Sequence, residues 1–226
     1  KSVYKRHTNF SIESIEQSLS GGQQPTFGSQ LDCIIGRQGD LINKIYFKVK
    51  LPSASSLITS TNSTYKNWIN NVGHALVEDV RLLIGGTEID KHYSEWFDIW
   101  NELTDPQQHE WDLVGKKVDA RELEENQNNS TQYLINLKFW FNKNIGLALP
   151  LIALQNHTIE LKINLRELKK LILTDGTNVS VAGNITSFNI FVDYIFLDDD
   201  ERRKIAQAEN HEYLIEQLQY NNFNNL

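Results

Sequence analysis

Apolar and polar side chains alternate with a period of two along several segments of the chain. Because successive side chains of a β-strand point to opposite faces, this alternation predicts strands with one buried face and one face open to solvent or to a partner. The clearest alternating segments are 45–51, 80–84, 133–141, 157–165 and 188–196, and weaker candidates lie at 10–19, 30–36 and 147–154. The pattern predicts about eight strands, and hence an all-β antiparallel sandwich.

Local breaker residues set where two of these strands end. Pro52 directly follows segment 45–51 and ends that strand, because proline has no N–H to donate to a ladder. Gly85 and Gly86 separate segment 80–84 from the next apolar stretch, and a two-residue Gly-Gly connection predicts a tight hairpin. Both signals agree with a sandwich of short strands joined by turns.

One segment follows a helical period instead. Its large apolar side chains recur at i, i+3, i+4, i+7 and i+10, which predicts a short amphipathic helix at about 93–104. We interpret this stripe as a cap over one end of the sandwich, not as a ligand site. A second helical turn is predicted at about 199–208, where the acidic start suits the positive end of the helix dipole. The members of the stripe are Tyr93, Trp96, Phe97, Trp100 and Leu103.

Three polar stretches, at 53–71, 105–131 and 174–183, separate the predicted strands. Loops of this length in a compact domain usually carry function or face a partner. None of them marks a domain boundary, so we expect them to interrupt a single sandwich.

The composition excludes several classes of protein. The chain has 226 residues, of which 40% are hydrophobic, and this supply of apolar side chains argues against a wholly disordered chain. No apolar run approaches the roughly 18 to 20 residues that cross a bilayer. The net charge of −7 argues against wrapping nucleic acid, because phosphate contacts need clustered Lys and Arg.

The sequence offers no catalytic constellation. Its six histidines lack metal-ligand spacing, and it has neither a phosphate-binding glycine loop nor a nucleophile elbow. His92 beside Asp90 and Glu95 comes nearest to a cluster, which we interpret as a surface turn. We interpret 198–201 as a solvated helix start, and Cys33 as a buried strand residue because its neighbours are apolar. We therefore expect no catalytic, cofactor-binding or metal-binding residues, no cofactor and no enzyme activity.

Short motifs occur in one fixed order over nearly the whole chain. The most specific are Phe139-Trp140-Phe141 and the run at 146–155. The others lie at 4–10 with 13–17, 37–42, 72–76, 84–86 with 89–93, 96–104, 193–194 with 200–203, and 211–218. In this order they resemble the motifs of the major capsid proteins of large nucleocytoplasmic DNA viruses.

The resemblance implies a double jelly-roll protein of which this chain is the first roll. Residues 1–210 would form an eight-stranded antiparallel jelly-roll sandwich with a short aromatic helix and long loops, and 211–226 a linker or the start of a second roll. The implied role is structural, in the icosahedral shell of a virion assembled in the host cytoplasm. Three copies would form a pseudo-hexagonal capsomer that contacts neighbouring capsomers and minor capsid proteins, near an internal membrane and without direct contact to nucleic acid.

Two features favour a longer parent chain. Methionine is absent from the sequence, including position 1. The tripeptide Ile-Glu-Gln at 15–17 recurs at 215–217, as expected if a second, duplicated roll begins near the end of the chain.

A jelly-roll module that binds carbohydrate or a receptor is the alternative. Tyr65, Trp68 and Trp111 lie in or beside polar loops, where exposed rings would stack on sugars. An enzyme of the cupin type ranks third, because its metal ligands are missing from the sequence.

Overall fold

The computed structural model describes residues 9–105, 108–117, 128–208 and 213–221. The strands are β1 (Phe10–Gln17), β2 (Gln30–Ile35), β3 (Leu41–Leu51), β4 (Ile58–Thr61), β5 (Lys66–Trp68), β6 (Val77–Ile84), β7 (Thr87–Tyr93), β8 (Thr131–Asn136), β9 (Leu149–Pro150), β10 (Ile159–Leu165), β11 (Ile172–Thr174), β12 (Thr177–Val181) and β13 (Ser187–Leu197). The α-helices in these ranges are Ala54–Leu57, Val72–Leu76, Ser94–Thr104, Trp111–Val114, Trp140–Lys143 and Asp199–Gln207, and 3₁₀ turns lie at Ser20–Gly22, Ile145–Leu147 and Leu168–Lys170.

Eight longer strands and the two-residue strand β9 form the two facing sheets of a sandwich. The β1 sheet has the order β1-β13-β3-β8, with β9 joined to β3, and the β2 sheet has the order β2-β10-β6-β7. Every pairing in both sheets is antiparallel. Apart from the β6–β7 hairpin, consecutive strands of the eight alternate between the sheets, which is the jelly-roll arrangement. The predicted all-β jelly-roll sandwich is confirmed.

The core lies between the inward faces of the two sheets. On β3, Ile45, Phe47 and Val49 are fully buried, at the alternate positions that the sequence pattern predicts. Phe47 packs against Phe188 of β13, with ring centroids 5.1 Å apart. The β2 sheet contributes Leu161 from its central strand β10, also fully buried. Burial of such side chains is the main source of stability in a chain with a single cysteine.

The predicted hairpin between β6 and β7 is confirmed. Gly85 and Gly86 connect the strands with φ angles of 60° and 81°. These are the left-handed values that a type I′ turn requires, and glycine adopts them without a side-chain clash. β3 likewise ends at Leu51, directly before Pro52.

The predicted strand at 133–141 is shorter than its alternation suggests. β8 ends at Asn136, and the chain continues into the helix Trp140–Lys143. Leu137, Phe139 and Phe141 are nevertheless buried. The alternation outlasts the strand because these side chains still face the core after the backbone has left the ladder.

The weak strand candidate at 147–154 contains only the two-residue strand β9. Arg37 stabilises the turns that follow β9, because its guanidinium donates to three carbonyl oxygens. Nη1 lies 2.9 Å from the oxygen of Leu151, and Nη2 donates to those of Leu154 and His157. A planar fork with five N–H donors suits this task better than any other side chain.

Two of the three polar stretches are ordered against each other. Strands β4 and β5 from the first stretch pair antiparallel with β12 and β11, respectively. The carboxylate of Asp175 supports the connection between β4 and β5 by accepting the N–H groups of Thr64 at 2.9 Å and Tyr65 at 3.3 Å. These stretches therefore form small ladders and not irregular loops. Part of the remaining stretch, 105–131, lies outside the described residues.

The predicted aromatic helix is confirmed as Ser94–Thr104. Phe97 is fully buried, and Trp96 and Trp100 are half-buried. Leu103, however, is 72% exposed, so its assignment to the capping stripe was wrong. Leu103 follows the buried Phe97 by six residues, a rotation of about 600°, which places it about 120° away from the buried side of the helix.

Asp40 anchors the last helix of the described chain to the sandwich. Its buried carboxylate accepts Nε and Nη2 of Arg202, each at 3.0 Å, and the N–H of Leu197 at 2.8 Å. The helix begins after Asp198, whose side chain accepts the N–H of Asp199 at 2.8 Å. The predicted helix start is confirmed, and Asp198 serves as its cap.

We expect Arg202→Ala to lower the urea midpoint of unfolding clearly below that of wild type, because it leaves the buried Asp40 carboxylate without its cation. Arg203→Ala is the matched control and should change stability by less than about 0.5 kcal/mol, since this side chain is exposed. Urea denaturation of both variants measures the difference. Equal losses would contradict the anchoring role of Asp40.

Candidate assembly surfaces

The outer face of the β2 sheet carries charges that neutralise one another. Asp79 accepts Nε of Arg81 at 3.1 Å and Nδ2 of Asn164 at 2.9 Å, and Nζ of Lys91 lies 3.8 Å away. Lys162 of β10 has Arg81 as its cross-strand neighbour on one side and Asp32 of β2 on the other. Because these charges are paired within the chain, this face is suited to exposure to solvent without a partner.

The outer face of the β1 sheet differs in its charge and in its aromatic content. Lys44, Lys48 and Lys50 project from β3 on this face, and among the described residues none of them has a carboxylate oxygen within 4.0 Å. Tyr46, on the same face, stacks on Phe191 of β13 with centroids 5.4 Å apart and planes 12° apart. We call the face formed by these five residues the lysine face.

A segment near the end of the described chain lies along the edge strand β7. Tyr213 contacts the ring of Trp140 and its hydroxyl donates to the carbonyl oxygen of Leu147. Further on, the N–H of Leu218 donates to Oδ1 of Asp90 at 3.0 Å. Residues 213–221 form no strand, yet they cover part of an edge that would otherwise be open to another chain.

The opposite sheet has its open edge at β1. Among the described residues, this strand pairs only with β13, and its outward side chains Phe10 and Ile12 are exposed. Unpaired backbone groups beside exposed apolar side chains are the usual features of an edge that another chain can join. The edge of β1 is therefore a second surface suited to assembly.

A cavity of about 530 Å³ lies between the aromatic helix, the end of β8 and the helix Trp140–Lys143. Within it, Nζ of Lys138 lies 2.6 Å from Glu110, whose other oxygen accepts Nδ2 of Asn136 at 3.1 Å. Burial raises the pKa of Glu110, but the hydrogen bond and charge of Lys138 outweigh it and hold the pKa below its ordinary value. Glu110 and Lys138 are thus paired with each other inside this cavity.

His74 is buried beneath the aromatic helix, with its ring 5.7 Å from that of Phe97. Burial, together with the charge of Lys138, lowers the pKa of His74 from 6.5 to about 4. The folded protein therefore keeps this imidazole neutral under conditions in which an unfolded chain would protonate it.

His74 should therefore make the folded protein less stable as the pH decreases. Above pH 6.5 the imidazole is neutral in both states and does not change the free energy of unfolding. Between pH 6.5 and 4 only the unfolded state binds the proton, which lowers the free energy of unfolding. We expect wild-type protein to lose about 2 kcal/mol more than His74→Phe between pH 7 and pH 5. His157→Phe, at an exposed position, is the control and should keep the wild-type profile. If chemical denaturation showed the same dependence of the free energy of unfolding on pH for wild-type and His74→Phe protein, this assignment would be contradicted.

Two residues that the sequence singled out lie in different places from those expected. The interpretation of His92 as a surface turn was wrong: it is buried on β7, with Nε2 2.9 Å from Oδ2 of Asp90. Trp68 is buried in the core, so it is not available to stack on a ligand. Tyr65 and Trp111 are half-buried. The apolar residues Ile89 and Tyr93 of β7 lie in the opposite phase to His92, and the register shifts within this strand pair, so the sequence pattern did not indicate that His92 points inward.

The described residues show packing and charged surfaces in place of a reacting centre. Within these ranges, no three His, Cys, Asp or Glu side chains group so that they would hold a metal ion. Cys33 is buried as predicted, and burial raises its pKa to about 11, which keeps the thiol protonated. No helix among the described residues has the length and apolar character needed to cross a membrane.

Comparison with known proteins agrees with this fold. Residues 1–198 match the protein family described as "Major capsid protein N-terminus". The chain is 45% identical to the major capsid protein of Pyramimonas orientalis virus and 40% identical to capsid protein 1 of Acanthamoeba polyphaga mimivirus, in each case over 97% of its own length. It spans 52% and 39% of the lengths of these two relatives.

A solved structure matches the chain over the same share of its length. It is that of PBCV-1 VP54, fitted into a cryo-EM reconstruction of the virophage Sputnik, with a TM-score of 0.75 and 36% identity. The match covers 97% of this chain and 50% of VP54. The motif order read from the sequence, the jelly-roll topology and these matches agree. The chain belongs to the family of major capsid protein N-termini of large DNA viruses.

Proposed function

We propose that this chain is the first jelly roll of a structural major capsid protein that trimerises into pseudo-hexagonal capsomers and builds an icosahedral shell. The observation that carries the proposal is the match over 97% of the chain to a major capsid protein at 45% identity. The lysine face and the open edge of β1 support the proposal, because lattice contacts are sums of modest interfaces repeated over many copies. The role needs no catalytic residue and no cofactor.

Residues 1–210 are proposed as the jelly roll, and 211–226 as a linker or the start of a second roll. The contacts of Tyr213 and Leu218 support a linker that is held against the first roll. Ile-Glu-Gln takes different conformations at its two occurrences, since 15–17 lie in β1 and 215–217 form no strand. A linker fixed along β7 would limit how a following domain can be placed.

The proposed partners are other copies of the protein, neighbouring capsomers and minor capsid proteins. The net charge of −7 supports a shell that does not contact the genome directly. An internal membrane is proposed to lie between shell and nucleic acid, and assembly to take place in the host cytoplasm.

Electron microscopy of the purified full gene product tests the proposed function. We expect particles with a pseudo-hexagonal outline and threefold symmetry, together with ordered arrays at high concentration. Single particles of monomer size that bind a glycan array would contradict the capsid role and support the carbohydrate-binding alternative.

A further inference from the structure

The lysine face is the part of the β1 sheet whose charges are least compensated. It lies on β3, an inner strand flanked by β13 and β8, and is therefore supported by ladders on both sides. The hydroxyl groups of Ser14 and Tyr46 lie 2.7 Å apart, which holds the stacked rings in place. Lys44 has Asp193 of β13 as its cross-strand neighbour, whereas the cross-strand neighbours of Lys48 and Lys50 are uncharged on both sides.

The outer side of the aromatic helix has the complementary composition. Glu95, Ile99, Glu102 and Leu103 fall at i, i+4, i+7 and i+8, and thus on one side of the helix. Ile99 is 51% exposed and Leu103 72% exposed. Both are apolar side chains that the described chain leaves largely uncovered. We call these four residues the acidic ridge.

The carboxylates of the acidic ridge have partners within the chain but are not buried by them. Glu95 lies 3.7 Å from Arg166, and Glu102 accepts Nζ of Lys116. Their side chains nevertheless keep 62% and 51% exposure, respectively. Each can therefore meet a second cation from another molecule.

The two surfaces match in order and in dimension. Along β3, Tyr46 lies between Lys44 and Lys48, which are about 13 Å apart at the rise of an extended strand. Along the helix, Ile99 lies between Glu95 and Glu102, about 10.5 Å apart at the helical rise. Each surface presents an apolar group between two like charges, and the charges of one are opposite to those of the other.

We propose that the lysine face of one copy binds the acidic ridge of a second copy of this chain. The contact is heterologous, because two different surfaces of the same chain meet, and such contacts close into rings when the rotation allows. It rests on the capsomer role proposed above and names the surfaces that assembly uses.

A second copy fits the lysine face better than an anionic membrane or nucleic acid. Three lysines are fewer than the four to eight of a typical lipid-binding basic cluster. The central stacked rings also suit an apolar side chain such as Ile99 better than a row of phosphates.

A charge exchange in the full gene product tests the contact. We expect Lys48→Glu and Glu102→Lys each to raise the Kd of self-association at least tenfold in sedimentation velocity over a concentration series. The double variant should return to within threefold of wild type, because the two charges then face each other with their signs exchanged. Lys162→Glu, also half-buried on an inner strand, is the matched control and should leave the Kd unchanged.

Thermal unfolding of each variant separates a folding defect from an interface defect. If Glu102→Lys melts early through loss of its contact to Lys116, Glu95→Lys replaces it in the exchange. Single variants equal to wild type, or a double variant without recovery, would overturn the contact while leaving a wild-type trimer and the capsid role intact. Wild-type protein that stays monomeric would overturn both. Binding to phosphatidylserine vesicles or duplex DNA that Lys48→Glu abolishes, with self-association unchanged, would assign the face to an anionic ligand and overturn the contact.

Discussion

Phe47→Ala should lower the free energy of unfolding by about 3–5 kcal/mol, because it removes a fully buried ring and leaves a cavity beside Phe188. Phe47 lies at the centre of β3, opposite Ile135 on one side and Ile190 on the other, so both neighbouring strands lose contacts. For a domain of this size the loss corresponds to a drop in melting temperature of roughly 10 °C. Thermal and chemical denaturation measure it.

Tyr46→Ala, one residue earlier on the same strand, is the matched control. Tyr46 points to the opposite face and stacks on Phe191. We expect a loss of only about 1 kcal/mol, in line with an exposed aromatic pair. Similar losses for the two variants would contradict the assignment of inner and outer faces on which the account of assembly depends.

Trp140→Ala should have a comparable effect, about 3–5 kcal/mol. The Trp140 ring is fully buried and lies edge-on to Phe141 at 5.1 Å and to Tyr213 at 6.3 Å. Because Tyr213 belongs to the segment along β7, the substitution should also release that segment. Hydrogen exchange of residues 213–221 should accelerate before global unfolding.

Trp100→Ala provides the comparison for this second prediction. Trp100 is half-buried, with Nζ of Lys143 4.2 Å from its ring centroid. We expect a loss of about 2 kcal/mol, proportional to the smaller buried area. Unchanged exchange of 213–221 in Trp140→Ala would show that the segment is held by its other contacts.

The inward pattern of the sandwich was predictable from the sequence, because burial on one face imposes a period of two. The alternation around Phe47 and Leu161 gave the correct inward residues, and Gly85-Gly86 gave the hairpin. The same rule failed at Phe139 and Phe141, since a side chain can face the core without belonging to a strand. Periodicity reports burial more directly than it reports hydrogen bonding.

Contacts between distant residues were beyond the sequence pattern. Nothing local connects Asp40 with Arg202, or Arg37 with the carbonyl groups around residue 154, because these pairs depend on how the sheets come together. The pairing of the two polar stretches is also non-local, and their Thr and Ser content favoured loops. All of these contacts depend on the sheet topology, and the order of the segments along the chain does not determine that topology.

The assembly surfaces were partly visible in the sequence. Tyr46, Lys48 and Lys50 already alternate with the apolar residues of β3, so the outward position of these lysines follows from the period of two. Their lack of carboxylate partners among the described residues follows only from the strand register. The exposure of Leu103 was not foreseen, because its spacing from Trp96 and Trp100 favoured the inner stripe.

The native mass of the full gene product tests the central claim most directly. Light scattering coupled to size exclusion, compared with the mass of the denatured chain, gives the number of copies in the native particle. We predict a ratio of three at concentrations above the Kd of self-association, as a capsomer of a major capsid protein requires. A ratio of one at every concentration would contradict the account.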